Sequence, residues 1–282
     1  MVVATNRIEV KKTYKLFING AFPRSESGRV FEVLSKKGEF VANPCLASRK
    51  DLRDSVTAAR AAQHGWAKAT AYNRGQILYR IAEMLEGRAE QCAAEISATS
   101  AATPVKAQAI VCEAIDRWVW YAGWSDKLSA VSGATNPVAG PYYNFTIPEP
   151  LGVVVVSAAD SFIDFVDAIG AAVVSGNSVI ALVSGGLSVP AMTFAEVLAT
   201  SDLPAGVINI LTGSLDELAP WAASHMDIDG FDISAISKKK RAELKVAGAE
   251  NLKRFYLADG KLSPSRILAF MEQKTVWHTI GV

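Results

Sequence analysis

The three cysteines of this 282-residue chain are the side chains best suited to nucleophilic chemistry, because a thiolate is the reactive form of a strong nucleophile. Cys45, Cys92 and Cys112 all lie in the first half of the chain, on segments predicted to be loop or helix. An odd number of cysteines without close spacing predicts neither a disulfide framework nor a zinc site. We therefore interpret all three as structural thiols and expect a reducing, cytoplasmic location.

The histidines and the charged residues indicate no further catalytic group. His64, His225 and His278 lie on different predicted elements, so their positions suggest neither a metal site nor a catalytic triad. The formal net charge is +1, which gives no electrostatic reason to expect nucleic acid or an anionic membrane as partner. The one dense basic run, Lys238 to Arg241, is interpreted as the solvated face of a helix.

The sequence predicts neither a membrane span nor a signal peptide. Every apolar stretch is interrupted before it reaches the roughly 18 residues that a span needs, and Leu151 to Val156 is far too short. The segment from Met1 to Thr13 lacks the apolar core of a signal peptide.

The first half of the chain is predicted to contain a hairpin followed by helices. Tyr14 to Ile18 alternates in polarity, and Asn19-Gly20 supplies a tight turn before the return at Ala21. Ser48 with Asp51 three residues later is close to a capping box at a helix start. The predicted helices cover 48–66, 73–98 and 104–128.

Beyond a turn-rich connection at 132–141, the pattern changes to strands. Tyr142 to Ile147 alternates, and because no neighbouring segment pairs with it, its partner could be another chain. Further strands are predicted at 153–156, 178–183, 207–211, 228–233 and 254–257, with helices at 162–174, 190–200, 215–224 and 238–249 between them. This alternation predicts an α/β fold with a doubly wound, parallel, Rossmann-like sheet.

Three segments resemble the aldehyde dehydrogenase superfamily in their order and spacing. They are Glu149–Val154, Gly176–Val179 and Leu203–Gly213. The hairpin and the first two predicted helices also look like that family's opening elements, so the resemblance covers nearly the whole chain.

The carboxyl end resembles the family's last strand. Phe270 to Trp277 is similar to a segment that forms, in family members, an oligomerisation sheet beside the strand that Tyr142 to Ile147 resembles. The resemblance implies that the intervening catalytic domain is absent through an internal excision. It divides the chain into an amino-terminal hairpin and helical part (1–140), oligomerisation strands (141–150 and 270–282) and a Rossmann-like sheet (151–269).

The resemblance also implies that the reaction of the family is lost. Its cysteine nucleophile follows the cofactor sheet, but no cysteine follows Cys112. Ser161 stands at the position of the family's oxyanion-stabilising asparagine, next to Asp160, and Leu257 stands at the position of its glutamate base on a loose alignment. We therefore expect no catalytic residue in this chain.

The nicotinamide cofactor contacts of the family are altered in the same way. Its ribose-binding lysine and glutamate correspond to Leu182 and Gly185, and its phosphate-binding turn corresponds to Phe231–Ser234, where Asp232 adds a negative charge. Ser184 and Ser234 remain as vestigial contacts, and Ser234 is expected to cap the following helix. We expect no cofactor, although NAD(P) stays possible.

Three functions are compatible with these features. The leading one is a non-catalytic subunit that pairs with itself or with a full-length aldehyde dehydrogenase, with Phe145 and Ile147 on one side of the boundary and Val276 on the other. The alternative is an NAD(P)-dependent aldehyde oxidoreductase that completes its active site with a partner chain. A third is a binding module for another small ligand in the altered cofactor cleft, for which the sequence offers no positive sign.

Overall fold

The computed structural model describes residues 10–281, and its amino-terminal half is mostly helical. After the short strands β1 (Val33–Leu34) and β2 (Phe40–Ala42) come five helices: α1 (Arg49–Lys68), α2 (Ala71–Glu86), α3 (Ala89–Thr99), α4 (Pro104–Trp124) and α5 (Leu128–Ser132). The predicted capping box at α1 is present, because the Ser48 hydroxyl accepts from Asp51 N and the Asp51 carboxylate accepts from Ser48 N.

One expectation for this half is wrong in detail, and another is confirmed. The helix predicted over 73–98 is divided into α2 and α3 at Gly87, a poor helix former, and the Arg88 side chain turns to pair with Glu196. The predicted hairpin is present around the turn Asn19-Gly20: Ile18 and Ala21 exchange two hydrogen bonds of 3.0 Å, and Leu16 N donates to Pro23 O over 3.0 Å. Phe17 also pairs with Ile210 of the main sheet, through hydrogen bonds of 3.0 and 2.8 Å.

The predicted parallel sheet is confirmed. Its strands are β5 (Val153–Ala158), β6 (Ser178–Val183), β7 (Ile208–Thr212), β8 (Gly230–Asp232) and β9 (Arg254–Tyr256), in the order β7-β6-β5-β8-β9. The connecting helices are α6 (Phe162–Val173), α7 (Ser188–Leu198), α8 (Leu215–Ser224) and α9 (Lys238–Gly248), and α10 (Pro264–Leu268) follows β9. The chain leaves β5 in one direction to β6 and later returns on the other side to β8, so the strand order reverses between β5 and β8.

The two faces of the sheet bury separate apolar clusters. Val154 and Val156 pack with α6 and α7 on one face, where α3 and α4 form an outer layer. Val153 and Val155 pack with α1 and α8 on the other face. Alternate residues of one strand thus serve opposite layers, as the period of an extended chain requires.

A second, antiparallel sheet projects from this body. It consists of β3 (Ala134–Asn136), β4 (Tyr142–Pro150) and β10 (Met271–Thr279), with β4 in the middle, and we call it the β-arm. The strand from Tyr142 to Ile147 therefore finds its partners within its own chain, contrary to one expectation. β3 lies in the segment that was expected to be only a connection. This strand has three residues, which are too few for an alternating pattern to be recognised in the sequence.

Candidate functional site

One cleft lies where the strand order of the main sheet reverses. It has a volume of about 410 Å³ and opens at the carboxyl ends of β5 and β8. We call it the switch-point cleft; its polar lining comprises Ser157, Asp160, Ser161, Asp164, Ser234 and Arg266. Open α/β sheets commonly bind ligands at this position, since loops from neighbouring strands separate there.

The turn from β5 into α6 forms one wall of the cleft. Ser161 is the N-cap of α6, and its hydroxyl accepts a hydrogen bond of 3.1 Å from Asp164 N. The residue that caps α6 is therefore Ser161 and not the adjacent Asp160. A second cleft of about 390 Å³ lies across the same turn, between Phe162, Ile96 and Lys36.

A buried ion pair forms the floor of the switch-point cleft. Asp232 is wholly buried at the end of β8, and its Oδ2 accepts a hydrogen bond of 3.0 Å from Nη2 of Arg266 on α10. Desolvation is the largest single influence on the pKa of Arg266 and lowers it, but the charge and hydrogen bond of Asp232, together with Tyr121 and Asp167, leave that pKa above its ordinary value. Asp232 thus places a carboxylate at this end of β8, and Arg266 neutralises its charge.

The ion pair continues into a cluster between α4 and α6. Arg117 donates to Asp167 over 2.9 Å, and the Tyr121 hydroxyl lies 3.3 Å from the same carboxylate. Burial raises the pKa of Asp167, while the positive charges of Arg117 and Arg266 oppose the rise. The cluster fixes α4, α6 and α10 relative to the cleft.

The two vestigial cofactor residues reach the same edge of the sheet but differ in position. Ser234 lines the cleft, donates its hydroxyl proton to Asp232 and accepts from Ala258 N over 2.7 Å. It does not cap α9, contrary to expectation, because that helix begins after Ser237. Ser184 follows β6, and its backbone N–H donates to the carbonyl oxygen of Ala158 at the end of β5. It therefore lies on the opposite side of β5 from Ser234.

The cysteines lie away from the cleft. Cys45 and Cys92 are buried, and burial strongly raises the pKa of Cys92, which holds its thiol protonated. Cys112 is exposed on α4, where Gln108 lies 3.8 Å from its sulfur. No thiol is among the cleft-lining residues within 10–281, so a covalent step on a cysteine has no support from the site itself.

The remaining candidates of the sequence occupy ordinary positions. Leu257 is half-exposed, and the Asp259 carboxylate accepts from Lys261 N over 3.0 Å. The basic run begins α9: Lys238 and Lys239 are exposed, while Arg241 donates back to Ser234 O and Ile236 O. Within the part of the chain that the structure describes, no three histidine, cysteine or acidic side chains group as metal ligands, and no helix has the length and apolarity to cross a membrane.

The predicted interface residues lie on the β-arm. Phe145 and Val276 are cross-strand partners within one chain, so their direct pairing across a subunit boundary is wrong. Ile147 lies opposite Lys274 in the same register and is 38% exposed. The arm also exposes aromatic rings not singled out from the sequence: Trp277 is 60% exposed and packs edge-on against Tyr142. The alternation of side chains along β4 and β10 could have placed these rings on one face of the arm. Their exposure could not be predicted in this way, because it depends on how the arm projects from the body.

Arg266 is the cleft residue that the sequence patterns did not reveal. Its segment, Ser263-Pro264 followed by a short helix, reads as a helix start, with the Ser263 hydroxyl accepting from Ser265 N. Nothing in that pattern indicates an ion pair with a residue on a distant strand.

The architecture is that of a Rossmann-like α/β protein, and comparison with known proteins specifies it further. Residues 22–279 match the description "Aldehyde dehydrogenase family", and the chain belongs to that family. It is 32% identical over 274 residues to retinal dehydrogenase 2 of Homo sapiens, which covers 94% of this chain and 52% of that protein. It is 30% identical over 257 residues to the mitochondrial benzaldehyde dehydrogenase of Antirrhinum majus, covering 89% and 47% respectively.

Solved structures agree with this membership. An NAD-dependent aldehyde dehydrogenase from Sinorhizobium meliloti superposes with a TM-score of 0.81 at 25% identity, over 88% of this chain and 50% of that one. An aldehyde dehydrogenase from Bacillus cereus gives a TM-score of 0.80 at 26% identity, over 87% and 50%. The chain thus spans about half the length of the relatives it matches.

The residues at the carboxyl edge do not fit the adenosine half of a nicotinamide dinucleotide in the way the family resemblance implies. Leu182, at the lysine position, is wholly buried in the core, and Gly185 has no side chain. Ile233, at the glycine position, is also wholly buried. Neither ribose-binding position carries a polar side chain, so no step through this cofactor follows from the geometry.

Proposed function

We propose that this chain is a non-catalytic aldehyde-dehydrogenase-like subunit that associates with itself or with a full-length aldehyde dehydrogenase and stabilises or regulates it. The observation that carries the proposal is the β-arm, which is fully paired inside and largely exposed outside. β10 pairs with β4 from Met271–Pro150 to Thr279–Tyr142, yet most of β10 is exposed to solvent.

The surface chemistry of the arm favours association. Tyr143 is 47% exposed and Trp277 is 60% exposed, and large aromatic side chains are enriched at protein interfaces. The outer edge of β10 also presents backbone groups that strand addition satisfies. Long exposed edge strands are a liability in a solitary protein, which supports a covering partner.

The site supports the absence of chemistry in this subunit. Aldehyde oxidation in the family requires a nucleophile, an oxyanion donor and a base around the bound cofactor. In the described chain the cleft offers Ser161 in a capping hydrogen bond and a neutralised Asp232, with no thiol beside them. A scaffold with an intact arm and this cleft is suited to assembly.

Association through the arm predicts a specific effect of Trp277→Ala. Removing this ring takes a large apolar surface from the arm, so we expect the complex to weaken about tenfold or more, as for an interface aromatic residue. The measurement is native mass spectrometry with sedimentation velocity, on the chain alone and mixed with a full-length aldehyde dehydrogenase from the same cells. Tyr79→Ala, on α2, is the matched control, because that ring is similarly exposed at 57%.

The proposal would be contradicted if the chain were strictly monomeric and bound no full-length aldehyde dehydrogenase. The enzymatic alternative is separated by activity: aldehyde-dependent reduction of NAD(P), by the chain alone or with a partner whose catalytic cysteine is replaced, would replace the proposal with an oxidoreductase.

A further inference from the structure

The switch-point cleft contains a cationic group whose hydrogen-bonding capacity the chain does not use. Arg266 lines this cleft and is only 4% exposed. Its Nη2 donates to Asp232, but its Nε is buried without a hydrogen-bond partner among the described residues. A buried donor without an acceptor is destabilising, and a ligand oxygen on this guanidinium group would relieve part of that deficit.

Two carboxylates lie at the outer side of the same cleft. Asp160 and Asp164 are exposed, and neither side chain makes an ion pair or hydrogen bond within residues 10–281. They flank the first turn of α6, four positions apart, so both can face one ligand group. Carboxylates without partners at a cleft mouth favour a cation and repel phosphates.

The arrangement separates the two charges by depth. The guanidinium group is buried at the floor, whereas the carboxylates are exposed at the rim. Ser157 and Ser234 are already committed to Asp232 and to backbone groups, which leaves Arg266 at one end and the aspartates at the other. The volume of about 410 Å³ lies within the range of about 300–1,000 Å³ that is usual for small-molecule sites.

We propose that the switch-point cleft binds a small zwitterion of the amino-acid type, with its carboxylate on Arg266 and its ammonium group between Asp160 and Asp164. The ligand is compact and carries both charges. This inference does not depend on subunit association, since the lining residues belong to one chain.

Calorimetric titration of the purified chain tests the proposal with five probes. Glycine, β-alanine and 4-aminobutanoate carry both charges at increasing separation, whereas acetate and ethylammonium each carry one. We expect at least one zwitterion to bind with a Kd in the millimolar range or below, and about tenfold more tightly than either single-charge probe. Failure of all three zwitterions, or equal affinity for acetate or for ethylammonium, overturns the proposal.

A pair of exposed substitutions locates the ammonium end. Asp160→Asn with Asp164→Asn removes both rim charges and leaves the Arg266–Asp232 pair intact, so we expect about tenfold weaker zwitterion binding. Asp126→Asn, an exposed aspartate between α4 and α5, serves as the control and leaves affinity unchanged. Unchanged affinity in the double variant overturns the proposed orientation and the zwitterion site with it.

Discussion

Arg266 has two roles at the scale of single residues: it neutralises Asp232 inside the protein and presents a cation to the cleft. A buried ion pair is not a strong source of stability by itself, because both ions lose their hydration. Breaking it is nevertheless costly, since one charge is then left buried alone. The buried pair therefore differs from the surface ion pairs of the chain in the stability that is lost when one partner is removed.

We therefore expect Arg266→Met to lower the free energy of unfolding by about 3–5 kcal/mol. Combining it with Asp232→Leu removes the orphaned carboxylate and restores more than half of the loss, although Ser234 then loses its acceptor. Urea unfolding measures both variants. Lys50→Met, which breaks the exposed pair Lys50–Asp54, is the control with an expected effect below about 1 kcal/mol. A loss of that small size for Arg266→Met would show that the pair is not buried as described.

Lys253 gives the fold a pH dependence. Burial lowers the pKa of this lysine to about 8 from an ordinary 10.5, with Asp229 opposing the shift, and its Nζ donates to the carbonyl oxygens of His225 and Ile228. Between these two pKa values the unfolded chain binds more protons than the folded chain, so this residue makes stability rise with pH across that window.

Lys253→Met removes this contribution. We expect the unfolding free energy of the wild type, relative to that of Lys253→Met, to increase between about pH 7 and about pH 10. Comparing the two proteins cancels the titrations they share, and Lys239→Met provides an exposed-lysine control. A difference that stays constant with pH would mean that Lys253 titrates normally in the folded state.

At the scale of elements, the helices α4 and α6 pack so closely that a glycine is required. A Cβ on Gly170 of α6 would lie 2.4 Å from the Tyr121 ring, which itself is held by Asp167. Gly123 on α4 is a contrasting helical glycine, because a Cβ added there would meet nothing within 4 Å.

We expect Gly170→Ala to destabilise the protein by about 1–3 kcal/mol through overpacking. Gly123→Ala, the matched control, is expected to be neutral or to stabilise by up to about 1 kcal/mol, since alanine is the better helix former. Thermal unfolding of the two variants checks the contrast, and equal effects would contradict the tight crossing of α4 and α6.

The elements also show where sequence patterns succeed. The alternation of strands and helices after Leu151 predicted the parallel sheet because the central strands β5 and β6 are buried on both faces and therefore read as continuous apolar runs. The turn at Asn19-Gly20 was visible in the sequence, whereas the pairing of Phe17 with Ile210 of β7 was not. Local periodicity carries no information about such distant pairing.

The candidate site was less predictable than the fold. The serine cap at Ser161 was visible locally, since capping involves residues adjacent in sequence. The neutralisation of Asp232 by Arg266 joins β8 to α10, and the crowding of Gly170 by Tyr121 joins α6 to α4. Each depends on tertiary placement, so the sequence alone showed the residues without their partners.

At the scale of the whole molecule, the family relationship specifies the framework while the chemistry of the cleft departs from it. The structure superposes over 88% of its length on half of a full-length relative, and the cleft combines one guanidinium group with two carboxylates. The proposed assembly and the proposed ligand binding are separable by experiment, because they involve different surfaces of the molecule. The two sets of variants, at Trp277 and at Asp160 with Asp164, are expected to affect one property each.

The bridge between Phe17 and Ile210 has a consequence for unwanted polymerisation. Phe17 hydrogen-bonds to main-chain groups of β7, so the amino-terminal stretch covers part of this edge strand of the main sheet. A strand from another chain must displace the amino-terminal stretch before it can pair there, whereas it can pair with β10 without any such displacement. We therefore expect backbone pairing with a second chain to occur at β10, the edge strand on which the proposed association rests.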